Sequence, residues 1–394
     1  MRERHGTEAS GRKRVAFAVL VPAVTLALVL AAGELAFHLV PNSYRDLVPW
    51  SQEGQWHAPG EQYVYRGAYL RARQPPDIAP NVIRWNRGGW HDRDHDLTGP
   101  PGVARVLVLG DSYVEGVQVR LEDLYHHRLE QALAARGYVG VEAIAMGWSG
   151  WGQAQELEAL GTKGLAYRPD LIIAEFLPAN DVRNNHPELE RMASEQIAHS
   201  TRARELFIES VNQGWLLPAF VFDKLDQLIR QMRGQKDPID ADVYRRVPAA
   251  RPDLWADAWT RTAEALTRIK TISAHAGVDL VVVIFTGPWE IEACDDPASL
   301  PPRDIDRKFP TLKVLEICAA EEIPCLDLQP RFARPLPGDP VCPHLAHEVH
   351  WSRHGHRRAA QETASFLINE TAVWKGVVAR VARRTQSPSD PARI

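Results

Sequence analysis

A serine that follows the first strongly β-branched stretch of the chain could act as a nucleophile. Residues 104–110 read ARVLVLG, and Asp111 and Ser112 follow directly. A serine on a tight turn between a buried strand and a helix is exposed at the sheet edge. The backbone amides at the start of the helix, which have no partner within the helix, point in the same direction as the serine hydroxyl. Ser112 could therefore supply both a nucleophile and a backbone donor. Alternatively, Asp111 and Ser112 merely cap a helix.

A serine hydroxyl needs a base, and a histidine-rich loop near the end of the chain offers one. His350 could take the proton of Ser112, and Glu348 could bond the other ring nitrogen and fix the tautomer. The competing interpretation is a metal site, but neither HExxH nor paired CxxC spacing is present, so we expect neither metal nor organic cofactor. The histidines that would form such a site are His344, His347, His350, His354 and His356.

Candidate oxyanion donors follow two other apolar stretches. Gly147 ends VEAIAMG, and its missing side chain lets a backbone N–H approach a substrate. Asn180 and Asp181 follow LIIAEFL, and the carboxamide of Asn180 is a side-chain donor. Donors aimed at a developing oxyanion commonly contribute about 3–4 kcal/mol each. We expect Asp111 and Asp181 to support these groups.

Apolar strands alternate with amphipathic helices from residue 104 onward. This alternation predicts an α/β fold with a doubly wound, flavodoxin-like, parallel five-stranded sheet and helices on both faces. In such sheets ligands bind beyond the carboxyl ends of the strands, where the candidate residues lie. The predicted strands cover 104–110, 141–147, 171–177, 278–285 and 325–328, and the predicted helices cover 121–136, 153–167, 255–275, 309–322 and 355–368.

The N-terminal region predicts one transmembrane helix. Residues 15–33 carry no charge and the apolar run resumes after Glu34, so residues 15–40 are expected to form an uncleaved signal-anchor. Residues 1–14 are basic, which favours a cytoplasmic N-terminus and an extracytoplasmic catalytic domain. A cleavable signal peptide is the alternative, because the small residues 31–33 would suit a cleavage site.

The remaining chain divides by composition. Residues 41–103 read as an irregular linker, 104–370 as the catalytic domain with a helical insertion at 182–250, and 371–394 as a C-terminal tail. The insertion could cover the site like a lid or pack on a sheet edge. Within the linker, the charged residues 91–96 are expected to form a solvated loop.

Composition excludes a nucleic-acid partner. Lys and Arg number 46 against 50 Asp and Glu in 394 residues, so no broad basic field is present.

Four cysteines permit three disulfide pairings; Cys318 and Cys325 could approach each other, or the thiols could be free. Three tryptophans near the proposed site could stack on sugar rings, line an acyl pocket or belong to the core. They are Trp148, Trp151 and Trp351.

The combination of GDS, the later glycine, the Asn-Asp pair and the late histidine loop resembles the SGNH (GDSL-like) hydrolase superfamily, across roughly residues 104–368. The stretches VEAIAMGWSGWGQAQEL and RPDLII to ANDVRNN are similar to membrane-anchored bacterial members. The resemblance implies Ser112 as nucleophile and His350 as base. It also implies an oxyanion hole made of the Ser112 and Gly147 amides and the Asn180 side chain.

Departures from the family pattern concern the acid. The family usually has Asp two or three residues before the histidine, where this chain has Glu348 and His347. In addition, Pro178 replaces a glycine that is usual in the family.

We expect a membrane-anchored extracytoplasmic serine esterase acting on a small-molecule, glycan or lipid acyl ester. The EVHW arrangement is also similar to proteins of polysaccharide O-acetylation, so an O-acetyltransferase is the alternative. A non-enzymatic glycan-binding protein of the cell envelope is a third possibility.

Overall fold

The computed structural model describes residues 4–40, 60, 62–65, 81–198, 202–233, 239–294, 304–334, 338, 340–345 and 349–386. The strands within these ranges are β1 (Gln62–Tyr65), β2 (Asn81–Arg84), β3 (Ala104–Gly110), β4 (Val141–Gly147), β5 (Leu171–Phe176), β6 (Asp279–Ile284) and β7 (Cys325–Asp327).

The helices come in three groups. Those before β5 are α1 (Arg4–Leu39), α2 (Ser112–Glu115), α3 (Tyr125–Ala134) and α4 (Gln153–Thr162). Those between β5 and β6 are α5 (Asp181–Asn184), α6 (Pro187–Ala198), α7 (Arg202–Asn212), α8 (Leu216–Arg233) and α9 (Pro252–His275). The last group is α10 (Phe309–Ala320), α11 (Gln329–Phe332), α12 (Arg353–Ser365) and α13 (Val373–Gln386).

A parallel five-stranded sheet organises the domain, in the order β4-β3-β5-β6-β7. Strands β1 and β2 form a separate antiparallel pair. Both faces of the large sheet are buried: Val106 and Val108 belong to one apolar layer, and Leu107 and Leu109 to the other. Strands covered on both faces read as continuous apolar runs, which explains why the sequence predicts them. The predicted fold class is confirmed.

The chain divides into two compact units. One contains α1 together with α7 and α8, and the other contains both sheets and the remaining helices. Within the described residues, one helix is long and apolar enough to cross a membrane, namely Leu20–Leu39 of α1. The middle of the predicted insertion therefore forms a unit with the N-terminal helix, while its flanks contribute Val182, Leu189 and Tyr244 to the core below the sheet.

Residues 91–96 are only partly solvated: His91, Asp92 and His95 are buried, whereas Asp94 and Asp96 are exposed, as the sequence predicts for a solvated loop. The Asp92 carboxylate accepts hydrogen bonds from the Ala145 amide of β4 at 2.9 Å and faces His126 Nε2 at 3.1 Å. His95 Nε2 lies 2.9 Å from the same carboxylate. Burial opposes ionisation, yet the surrounding histidines hold the pKa of Asp92 well below its usual value. The prediction is wrong for these buried residues, because partners such as Ala145 and His126 are distant in sequence.

The C-terminal segment also packs on the domain. Helix α13 buries Trp374 and Val377 in the same layer as Val106, and its Arg384 pairs with Asp170 at 2.6 Å. The apolar residues recur at helical spacing, so this helix could have been found from the sequence. Only the residues after Gln386 lie outside the described part of this segment.

A buried acid on α4 gives the domain a testable pH dependence. Burial and the neighbouring Asp181 and Asp111 raise the pKa of Glu156 well above its usual value. In the unfolded chain this carboxyl has a pKa of about 4.3. Between that value and the raised pKa of the folded state, unfolding releases a proton, so the free energy of unfolding falls as pH rises. Replacement by glutamine keeps the shape and removes this penalty.

We expect Glu156→Gln to increase the free energy of unfolding at about pH 8. The gain should be smaller at about pH 5 and grow by at most about 1.4 kcal/mol per pH unit between them. Urea unfolding at both pH values measures it. The matched control is Glu158→Gln, at an exposed position on the same helix. An equal gain in both variants, or a gain at low pH only, would contradict the assignment.

Candidate active site

The proposed nucleophile lies on a tight turn at the carboxyl end of β3. Ser112 is the first residue of α2, and the Asp111 carboxylate caps this helix by accepting from the Tyr113 amide at 2.8 Å. Gly110 precedes them, and a side chain there would collide with Glu175 and Val114. The turn therefore packs so closely on the sheet that Gly110 admits no Cβ.

His350 lies against this serine although 238 residues separate them in sequence. The distance from His350 Nε2 to Ser112 Oγ is 2.8 Å, which is hydrogen-bonding distance. The loop that carries His350 is closed by a bridge between His344 and Trp351, and the Leu345 amide donates to the His350 carbonyl at 2.9 Å. The Trp351 indole donates to the Thr286 carbonyl just after β6 at 3.1 Å, which anchors the loop to the sheet.

The two predicted oxyanion positions lie beside this pair. Gly147 pairs with Gly110 in the register of β3 and β4, and a Cβ at Gly147 would collide with the α2 backbone. Asn180, at the start of α5, donates its side-chain amide to Asp111 at 3.1 Å. An amide nitrogen carries two hydrogens, so a second donor remains on the Asn180 side chain. Glu348, the proposed acid, lies outside the described residues.

Buried carboxyls support the turn from within the sheet. Glu175 of β5 accepts from the Asp111 amide at 2.8 Å, and Asp181 accepts from the Leu177 amide at 2.8 Å. Burial, together with the charge of Asp111, raises the pKa of both Glu175 and Asp181 well above the usual values. Burial likewise raises the pKa of Asp111, against the effect of the Tyr113 amide. These acids hold backbone amides in place beneath the serine.

Tyr113 links the serine turn to the histidine loop, a role that sequence reasoning missed. Its hydroxyl donates to the Val349 carbonyl, and its ring lies 5.1 Å from the His350 ring. Glu175 was missed as well, although an acidic residue inside the apolar stretch LIIAEFL is a signal, because a buried carboxyl is costly unless it has a role.

The other histidines of the loop have separate partners. His344 donates from Nε2 to the Thr286 carbonyl at 2.9 Å, and burial lowers its pKa to about 3. His356 is buried against Trp351 at a ring distance of 5.6 Å, and His354 contacts Arg357. His347 lies outside the described residues. Those that the structure describes thus do not converge on one point.

The three tryptophans differ in position. Trp351 is fully buried among Phe285 and Phe332 and is a core residue. Trp151 packs edge-on against Trp90 at 5.7 Å. Trp148 is half-buried directly after Gly147, and its amide donates to the Gly110 carbonyl at 3.2 Å.

A disulfide joins Cys294 to Cys342, while Cys318 and Cys325, the pair considered from the sequence, are free thiols. Sequence spacing alone does not determine which cysteines pair. The bond ties the segment after β6 to the loop that carries His350, eight residues further along the chain.

The chain belongs to the GDSL-like lipase/acylhydrolase family, whose model matches residues 108–358. Among solved structures, it is similar to the acetyl xylan esterase AlAXEase (13% identity, TM-score 0.40, covering 67% of this chain and 100% of that one). It is also similar to a lipase/acylhydrolase from Enterococcus faecalis (14% identity, TM-score 0.39, covering 67% and 95%). No curated protein matches the chain. Family membership makes the protein an acylhydrolase.

We expect Tyr113→Phe to lower kcat while leaving KM nearly unchanged. The variant removes the bond to Val349 and keeps the ring, so the His350 loop loses one restraint; small misplacement of a catalytic group costs up to about 10²-fold in rate. Steady-state kinetics with a short nitrophenyl ester measure both constants. Tyr125→Phe is the control, because it removes a buried hydroxyl bond to Thr363 away from the loop. An unchanged kcat, or the same loss in the control, would refute this role.

Loss of the disulfide should destabilise the domain. The cysteines are 48 positions apart, and in the chain-entropy model a bond closing such a loop contributes about 4 kcal/mol at most. We expect dithiothreitol to lower the Tm of the wild type and not that of the Cys294→Ser/Cys342→Ser variant, as followed by circular dichroism. A similar decrease in both proteins would assign the effect to other groups.

Proposed function

We propose that this protein is a serine esterase in which Ser112 is the nucleophile and His350 the general base. The observation that carries the proposal is the 2.8 Å distance between Ser112 Oγ and His350 Nε2 at the carboxyl end of the sheet. A nucleophile and a base within hydrogen-bond reach are the signature of covalent acyl transfer. Glu348, two residues before His350, is proposed to orient the imidazole.

The reaction follows from this arrangement. Ser112 Oγ forms a bond to the ester carbonyl carbon while its proton passes to His350 Nε2. The tetrahedral intermediate then breaks its bond to the alcohol oxygen, which receives the proton from His350. Water, deprotonated by the same imidazole, attacks the acyl carbon of the acyl-enzyme. The bond from this carbon to Ser112 Oγ then breaks, Oγ takes the proton back from His350, and the carboxylic acid is released. No metal or organic cofactor takes part in these steps.

The negative oxygen of the intermediate needs hydrogen-bond donors. We assign the Ser112 amide, the Gly147 amide and the Asn180 side chain to this role, with Asp111 and Asp181 as supporting residues. Removal of one such donor typically lowers kcat by about 10²–10³-fold. The bond between Asn180 and Asp111 supports the assignment, because it fixes the carboxamide beside the nucleophile turn.

We further propose that α1 anchors the protein in a membrane with the catalytic domain outside the cytoplasm. The apolar helix Leu20–Leu39, in which no residue is buried, and the basic residues before it favour this orientation. The Cys294–Cys342 disulfide agrees with it, because disulfides persist in oxidising compartments. The substrate is proposed to be an acyl ester of a small molecule, a glycan or a lipid.

We expect Ser112→Ala to lower ester hydrolysis by at least about 10⁴-fold without loss of structure, because no other group replaces the nucleophile. The full chain in detergent is assayed with a nitrophenyl ester, and a fluorophosphonate probe should label the wild type and not the variant. Ser365→Ala, at a half-buried helical serine, is the control. Undiminished hydrolysis by Ser112→Ala would overturn the proposal.

Product analysis separates hydrolysis from transfer. With an acyl donor and an oligosaccharide acceptor together, an esterase releases free acid, whereas an O-acyltransferase gives an acylated sugar. Release of free acid at the same rate with and without acceptor supports the esterase.

A further inference from the structure

Helix α8 exposes a row of apolar side chains. Val221, Leu225 and Leu228 are 48%, 42% and 52% exposed, and Trp215, just before the helix, is 58% exposed. The three helical positions follow i, i+4 and i+7 spacing, which places them on one face. Leu216 and Ala219 of the same helix are buried, so α8 has one packed side and one apolar side that none of the described residues of its unit covers.

The packed side of α8 contacts α1. The Glu34 carboxylate accepts from the Leu216 and Leu217 amides at 2.7 and 2.8 Å, and so satisfies two of the free amides at the start of α8. The Phe37 ring lies 5.4 Å from the Phe220 ring. A side chain at Gly33 would come within 2.9 Å of Leu217, so the two helices approach closely at that point.

These contacts place α8 beside the apolar segment of α1. Glu34 and Phe37 both belong to the apolar stretch Leu20–Leu39. Glu34 lies five residues before the end of that stretch, which at a rise of about 1.5 Å per residue is about 7.5 Å along the helix. If α1 spans a hydrocarbon core of about 30 Å, the start of α8 lies at the boundary between hydrocarbon and headgroups.

The charged and aromatic residues near the start of α8 are consistent with a position at the boundary between hydrocarbon and headgroups. An ionised carboxylate within a membrane segment is costly unless it has partners, and the α8 amides are such partners for Glu34. Tryptophan favours the membrane interface, where Trp215 would lie. Lys224, exposed on α8 with its ammonium 5.9 Å from the Phe220 ring, has a long enough stem to reach the headgroups.

We propose that the α7–α8 hairpin is a second membrane-contacting element, embedded in the interfacial layer of the bilayer that α1 spans. Val221, Leu225 and Leu228 contact lipid acyl chains in this arrangement. The inference rests on the anchor function proposed above for α1. It assigns the middle of the 182–250 segment to membrane attachment. The apolar face of α8 then adds to the apolar area that α1 alone buries in the bilayer.

Photolabelling from within the bilayer tests the proposal on the full chain. The protein is reconstituted in phosphatidylcholine vesicles that contain a phosphatidylcholine with a diazirine on its acyl chain, then irradiated, digested and analysed by mass spectrometry. We expect lipid adducts on peptides of α1 and α8 and none on the exposed face of α9. Adducts on α1 alone overturn the hairpin proposal and leave the anchor; adducts on neither helix overturn the anchor as well.

A charged variant sharpens the result. Leu225→Glu/Leu228→Glu should lower the adduct yield on α8 at least fivefold while adducts on α1 persist. Val139→Glu is the matched control, because Val139 is 82% exposed and lies in the other unit. Circular dichroism equal to that of the wild type shows that the variants are folded, because ester hydrolysis reports only on the unit that contains Ser112 and His350. If α8 gives no lipid adducts and a bifunctional lysine-reactive reagent instead joins Lys224 of two copies, the partner is a second copy of the protein and the proposal is refuted.

Discussion

Two glycines at the carboxyl ends of neighbouring strands allow the site to form. Gly110 and Gly147 pair across β3 and β4, and a Cβ on either would collide with the groups that position the serine. The first glycine leaves space for Glu175, and the second leaves space for the backbone of α2. The parallel register therefore matters for more than sheet stability: a shift of one residue would separate these glycines and displace Ser112 from His350.

The hydrogen bonds that hold this turn come from acids that are expensive to bury. Asp111, Glu175 and Asp181 each accept a backbone amide near the site, and all three have raised pKa values. A protonated carboxyl avoids most of the cost of burying a charge and still offers an acceptor oxygen. The domain is therefore less stable at higher pH, and the same acids fix the geometry beneath Ser112.

Sequence patterns predict the sheet well, because strands covered on both faces leave uninterrupted apolar runs. They also predict which side chains follow each strand, so Ser112, Gly147 and Asn180 are expected at one edge. The segment around Asp92 escapes prediction, because its burial depends on partners such as Ala145 and His126 that are far away in sequence. The Cys294–Cys342 pairing cannot be predicted from the sequence for the same reason. The role of Glu348 stays a prediction.

The separation of 238 residues between the proposed nucleophile and the proposed base has a consequence for biosynthesis. Ser112 emerges early from the ribosome, whereas His350 and the helix behind it are made near the end of the chain. A nascent polypeptide that has not reached residue 350 therefore carries the proposed nucleophile without the proposed base. Under the proposed mechanism, reactivity towards esters arises only once the loop that carries His350 has been made and has closed on the sheet.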